Sequence, residues 1–124
     1  MGTAYYVGTS GWHYPHWRGP FYPSALPANA WLDYYARHFA TVEINSSFYR
    51  RPSQATARVW RNATPTGFTF AIKASRTITH MKKLRAPCTS LRAFLAVTQA
   101  LGNKCGPLLF QLPPNFKVDV PRLQ

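Results

Sequence analysis

Acidic side chains are nearly missing from this sequence. Of 124 residues only three are acidic, Asp33, Glu43 and Asp119, against fifteen Lys and Arg, for a net charge of +12. A paired-carboxylate hydrolase needs two acids converging on one bond. Asp33 falls in a helical pattern and Asp119 in a tail-like segment, so only Glu43 is placed for chemistry. The same scarcity excludes a carboxylate-rich calcium site. Cysteine is scarce too: Cys88 and Cys105 form no CxxC pair. Without an export signal, two such thiols are expected to be free and structural, Cys105 as a small core residue. No apolar run approaches the ~20 residues of a membrane helix. The opening residues Met1 to Val7 lack a basic region followed by an apolar stretch, and Tyr6 stands where a myristoylation signal wants Ser or Thr. The expectation is a cytoplasmic protein with no membrane partner. Repeats of 20 to 50 residues and low-complexity tracts are absent as well.

What is present is enough for one core. Apolar residues make up 46%, and a chain of this size can bury roughly two thirds of its unfolded surface. The positive balance favours anionic partners such as phosphate esters or nucleic acid, unless it only mirrors an Arg-rich proteome.

Strand and helix patterns alternate along the chain. Residues 5–9 read as a first strand. A loop from Gly11 to Asn29 follows, holding Pro15, Pro20, Pro23 and Pro27, which forbid a regular helix. Leu32, Tyr35, Ala36 and Phe39 fall at i, i+3, i+4 and i+7 of an amphipathic helix. Residues 41–45 form a second strand. Ser53 is the N-cap of a second helix carrying Val59, Trp60 and Ala63, with Pro65 just beyond its end. Residues 68–74 alternate as a third strand. Ser90 caps a third helix with Leu91, Phe94, Leu95 and Leu101 inward, closed by Gly102. Residues 107–112 form a fourth strand stopped by Pro113-Pro114, and residues 119–124 begin a further helix. The order βαβαβαβ implies an α/β fold with a parallel sheet.

In parallel α/β folds the working face lies beyond the strands' carboxyl ends. Those ends present Gly8 to Trp12, then Glu43, Asn45 and Ser46, then Lys73, Ser75 and Arg76 running on to Thr79 and His80, and finally Gln111. Period-two alternation sets Val42 and Ile44 on one face and Thr41, Glu43 and Asn45 on the other. It likewise separates Phe68, Phe70 and Ile72 from Thr69, Ala71 and Lys73. The apolar face is expected to pack on helices. Glu43 and Lys73 on the mixed face are expected to pair, as an acid–base unit or as a structural ion pair.

The loop from Gly11 to Tyr22 holds five aromatic residues, two His and one Arg in twelve positions. It is either a lid or stacking platform with Trp12 and Trp17 as contacts, or a plug with its own small core. His13 and His16 have HxxH spacing, but Pro15 intervenes and no third ligand is evident, so no metal site is assigned. Arg50-Arg51 and the stretch Lys73, Arg76, His80, Lys82, Lys83 and Arg85 are basic clusters, for phosphate binding or as a solvated face. Residues 8–11 match neither GxGxxG nor a P-loop, GxSxG is absent, and the cofactor is left unknown.

Taken together, Gly8-Thr9-Ser10-Gly11-Trp12, Phe21-Tyr22-Pro23, Tyr34-Tyr35-Ala36, the string from Phe39 to Arg50, Lys73-Ala74, Ile78-Thr79-His80 and the segment from Gly106 to Pro114 resemble the YecE-like family, also called domain of unknown function 72. The resemblance covers nearly the whole chain, and the string from Val42 to Tyr49 carries it most specifically. It implies a TIM-barrel fold of about 200 residues or more, of which residues 1–124 match the first half, truncated to about four strands. It points to Trp12, Glu43, Asn45, Tyr49, Lys73, Thr79, His80 and Gln111 as site positions but implies no established activity.

Roles follow from the strand-end placement. Glu43 or His80 is the general acid or base, and Lys73 is the electrophile or anion anchor. Asn45 and Gln111 donate hydrogen bonds, Trp12 and Tyr49 stack on substrate, and Trp17, Arg76 and Thr79 are further binding candidates. The leading reading is a TIM-barrel enzyme, or a fragment of one, acting on an anionic or phosphorylated small molecule, a nucleotide among the candidates. The alternatives are a basic nucleic-acid-binding module, or a truncated product inactive alone unless two copies complete a barrel as a homodimer.

Overall fold

A computed structural model describes residues 2–85 and 88–124. Three parallel strands, β1 (Thr41–Ile44), β2 (Thr69–Lys73) and β3 (Cys105–Leu109), form one sheet in the order β1-β2-β3. Helix α1 (Trp31–Ala36) precedes β1, α2 (Gln54–Asn62) joins β1 to β2, α3 (Cys88–Leu101) joins β2 to β3, and a short α4 (Val120–Leu123) follows. The chain is therefore α/β with a parallel sheet, as the alternating pattern implies. No helix among the described residues is long and apolar enough to cross a membrane.

The expected first strand is a correction. Tyr5, Tyr6 and Val7 are exposed, Tyr5 at 84%, and residues 5–9 form no strand. Pairing begins only at the far end: Glu43 N–H donates to the Thr9 carbonyl at 3.0 Å and Gly11 N–H to the Glu43 carbonyl at 2.8 Å, around a parallel bridge between Ser10 and Glu43. With Ser10 opposite Glu43, Val7 falls level with Ala40, ahead of the first residue of β1. Only residues 8–11 lie level with β1, so of the expected strand only Gly8 and Thr9 meet it. Tyr35, fully buried, fastens this segment: its hydroxyl accepts from Thr9 N–H and donates to the Thr41 carbonyl, both at 2.9 Å. Gly8 passes so close to β1 that a Cβ there would lie 2.2 Å from the Thr41 carbonyl oxygen.

The alternation in β1 and β2 holds. Val42, Ile44, Phe70 and Ile72 are buried, while Thr41, Glu43, Thr69, Ala71 and Lys73 stay half-exposed on the opposite face. The buried face joins Ala57 of α2 and Phe94, Val97 and Leu101 of α3 in one core. Two helix faces differ from expectation. On α2, Ala57 is fully buried and Trp60 packs on the core, but Val59 is 65% exposed. Two residues are about 200° of helix rotation, so Val59 lies nearly opposite Ala57. On α3 the inward set is Phe94, Val97 and Leu101 at i, i+3 and i+7, which turns Leu95 outward.

The helix ends are governed by single residues. Ser53 Oγ accepts from Thr56 N–H at 3.0 Å, as an N-cap should. Ser90 does not cap α3, which already begins at Cys88; its hydroxyl accepts from Lys82 Nζ at 3.4 Å. Gly102 follows α3 with φ +59, the left-handed geometry that closes helices. Asp119 caps α4, accepting from Arg122 N–H at 3.3 Å. Beyond α2, Lys104 Nζ donates to the carbonyls of Arg61 and Thr64, both at 2.6 Å, satisfying groups a helix end leaves orphaned.

Strand β3 runs from Cys105 rather than Pro107 and ends before Phe110. Its register slips against β2: Phe70 pairs with Cys105 and Ile72 with Leu108, three residues against two. The slip falls at Gly106-Pro107, where Pro107 has no N–H for the ladder. Cys105 carries a free, half-buried thiol packed against the core, and burial pushes its pKa up. The side chain of Cys88 lies outside the described residues.

Candidate functional site

The long aromatic loop is mostly a packing unit. Tyr22 is fully buried and stacks on Trp31 with ring centroids 4.9 Å apart and planes 4° from parallel. Its hydroxyl donates to the Trp12 carbonyl at 2.6 Å. Burial first, and the neighbouring Tyr35 second, raise the Tyr22 pKa far above its ordinary 10.0. Trp17 packs edge-on against Phe21 at 5.7 Å and against Tyr14 at 4.9 Å. Of the two readings of this loop, Trp17 thus follows the plug and is drawn into the loop's own small core. His13 lies against Trp31, and no group of three or more His, Cys, Asp or Glu side chains gathers among the described residues.

Trp12 behaves differently. It is 8% exposed and meets Trp60 edge-on at 5.3 Å. The two indoles form part of the wall of a cleft of about 750 Å³ between the loop, α1, α2 and the turn after β1. Asn45, Ser46 and Tyr49 come to the same cleft from that turn, and Val59 comes from α2.

A second cluster stands at the carboxyl ends of β1 and β2. A short 3-10 turn, Ser46–Phe48, follows β1 and carries Phe48 over the end of β2. Ser47, buried, anchors that turn: its Oγ lies 2.9 Å from the Ile44 carbonyl and 2.6 Å from the Lys73 carbonyl. The Lys73 ammonium sits 4.3 Å from the centre of the Phe48 ring, a cation–π contact. His80 meets Phe48 edge-on at 5.0 Å and Tyr49 does so at 4.9 Å. The Arg76 guanidinium lies 5.8 Å from the Tyr49 ring. His80 belongs to a π-helical turn, Thr77–Met81, that leaves β2; its Nδ1 is 2.8 Å from the hydroxyl of fully buried Thr79. Such turns widen the backbone and recur near functional sites.

The expected pair of Glu43 and Lys73 does not form. The register sets Glu43 opposite Ala71 and Ile44 opposite Ile72, so Lys73 stands level with Asn45. The Glu43 carboxylate instead accepts from the Ser10 hydroxyl at 3.1 Å. Gln111 lies exposed beyond β3, outside the cluster. Lys82, Lys83 and Arg85 are exposed and make a solvated basic face; Arg50 and Arg51 are exposed as well. Structure thus gathers Tyr49, Lys73, Arg76, Thr79 and His80, and separately Trp12, Asn45 and Tyr49. Phe48 and Ser47 organise the first group and Trp60 part of the second. None of the three carries charge, and their signal was position alone: two lie just past a strand end and one on a helix face.

Comparison with known proteins agrees with this architecture. Residues 6–124 match the family described as "Protein of unknown function DUF72". The chain is 32% identical over 111 residues to the UPF0759 protein YecE of Escherichia coli K12, covering 90% of this chain and 38% of that protein. It is 32% identical over 117 residues to the UPF0759 protein YunF of Bacillus subtilis 168, covering 90% and 40%. Among solved structures, a DUF72 family protein from Enterococcus faecalis V583 superposes with a TM-score of 0.66 at 25% identity, covering 74% of this chain and 40% of that one. The chain spans about two fifths of the length of the relatives it matches. On the extent of the sequence match and the identity to these relatives, the chain belongs to the DUF72 family.

Proposed function

We propose that residues 1–124 are the amino-terminal half of a TIM-barrel-like domain, and that its strand ends bind an anionic or phosphorylated small molecule. The parallel strand order and the two-fifths coverage of longer relatives support the first part. Leu109 and Phe110, 41% and 39% exposed at the β3 end, are where a second copy or further strands would continue the sheet. The observation that carries the second part is the convergence of Lys73, Arg76 and His80 on the Phe48–Tyr49 aromatic pair. Lys73 meets a ring there rather than a carboxylate, so its charge stays available to an incoming anion. Lys73 and Arg76 anchor the anion, and His80, held by Thr79, serves as the proton donor or acceptor. Glu43 is one repeat back on the sheet face and already engaged by Ser10, which leaves it the lesser candidate for proton transfer.

The test is phosphate binding to the chain as it exists, followed by NMR shifts. Lys73→Met should weaken binding of inorganic phosphate about tenfold, the weight of one charged hydrogen bond. Unchanged binding in that variant overturns the reading. A nucleic-acid module would instead bind a single-stranded oligonucleotide far more tightly than phosphate, with affinity falling steeply as salt rises. The burial of Tyr22 and the packing of half-buried Trp17 against it in the loop's own core count against that alternative, since they leave this loop less ring surface for stacking.

A further inference from the structure

The cleft beside Trp12 and Trp60 is separate from the cationic cluster, yet the two share one residue. Tyr49 lines the cleft and also lies beneath the Arg76 guanidinium. At 67% exposure the residue stays open to solvent even with Arg76 and Phe48 against it. The cleft, about 750 Å³, falls within the ~300–1,000 Å³ of small-molecule sites. Its walls are chiefly aromatic and aliphatic, from Trp12, Trp60, Leu32 and Val59, while Asn45 and Ser46 add hydrogen-bonding groups from the turn after β1. Indole and phenol walls with an amide at the edge suit a flat heteroaromatic ring, whose faces stack and whose edge needs donors and acceptors.

We infer that this cleft takes the planar ring of the same ligand whose phosphate lies on Lys73 and Arg76, so that the substrate class is a nucleoside monophosphate or a like heteroaromatic phosphate. This rests on the anion-binding reading for its phosphate half and on the Trp12–Trp60 cleft for its ring half. Tyr49 is the joint between the two halves, and Asn45, level with Lys73 in the sheet register, reaches the cleft from the same turn.

The probes are adenosine, AMP, UMP and inorganic phosphate, each titrated into the 124-residue chain by NMR and by tryptophan fluorescence. AMP or UMP should bind about tenfold or more tighter than inorganic phosphate, the gain expected from stacking one base. Adenosine should perturb the tryptophan emission by itself. Because Trp12 is buried and its loss would disturb folding, the diagnostic variant is Val59→Trp, an exposed position that fills the cleft. It should bring nucleotide affinity down to that of inorganic phosphate and leave phosphate binding as it was. If phosphate binds and neither nucleotide binds tighter, the ring inference falls and the anion reading stands. If adenosine and AMP bind equally and phosphate not at all, the anion reading falls, and with it the heteroaromatic phosphate as substrate. Nucleotide binding undiminished in Val59→Trp overturns the cleft as the ring's location.

Discussion

The hydroxyl oxygen of Ser47 lies 2.6 Å from the carbonyl of Lys73 and 2.9 Å from that of Ile44, so one buried proton ties together the carboxyl ends of two neighbouring strands. It is also what holds Phe48 over the Lys73 ammonium. Ser47→Ala should cost about 1–3 kcal/mol in urea unfolding, since carbonyls are left without their buried donor. The same variant should weaken phosphate binding, because the Phe48 turn loses its anchor. Full stability and full binding in that variant would show the tie to be dispensable.

Tyr22 combines a stack on Trp31 with a buried hydrogen bond to the Trp12 carbonyl. Tyr22→Phe keeps the ring and removes the bond, and should cost about 1 kcal/mol. A pH series separates this from mere packing. The folded-state pKa is raised above the unfolded value near 10, so the stabilisation is whole below pH 10 and is lost as pH rises beyond it, because the unfolded chain ionises first. Wild-type stability should therefore fall above pH 10 more steeply than that of Tyr22→Phe, by up to about 1.4 kcal/mol per pH unit for one proton. Parallel curves would contradict this.

Gly8 admits no side chain. A Cβ would sit 2.2 Å from the Thr41 carbonyl oxygen, and the obstacle is backbone rather than a flexible tip. Gly8→Ala should cost about 1–3 kcal/mol through forced displacement. Amide exchange should speed at Gly11 and Glu43, whose ladder bonds depend on that approach. Unaltered exchange at both amides would show that the segment docks without Gly8.

Lys104 closes the end of α2 with two 2.6 Å bonds to backbone carbonyls. Desolvation, then the Arg61 charge, lowers its pKa, yet the geometry is a helix C-cap. Lys104→Met should cost about 1 kcal/mol, most visible as faster exchange in the last turn of α2. Lys104→Arg, which keeps donors, should recover part of it.

Much of this fold can be read from residue order because its signals are local. The alternation in residues 41–44 and 69–73 needs only a period of two, and Ser53 and Gly102 announce helix ends by side-chain chemistry and backbone freedom. What escapes is whatever depends on docking. Residues 5–7 have strand composition, but whether they pair is decided by where Ser10 meets Glu43, a contact across 33 residues. Val59 and Leu95 are apolar on helices whose buried arcs are chosen by neighbours. In the candidate cluster, the nearness of Lys73, Arg76, Thr79 and His80 to one another was legible from their position at and after one strand end. The Glu43–Lys73 pair failed for a reason of register, since one pleat repeat separates them. Phe48 went unmarked because a ring becomes the partner of a charge only once the turn after β1 is folded over β2.

Two of the three carboxylates are spent within their own helical turns: Asp33 pairs with Arg37 at 2.7 Å and Asp119 with Arg122 at 3.1 Å. Glu43 alone stands on the sheet against the remaining cations. The molecule therefore carries a long-range field with almost no internal compensation, and an anion feels it well before contact. In kinetic terms, added salt should slow the arrival of a charged ligand far more than it hastens its departure.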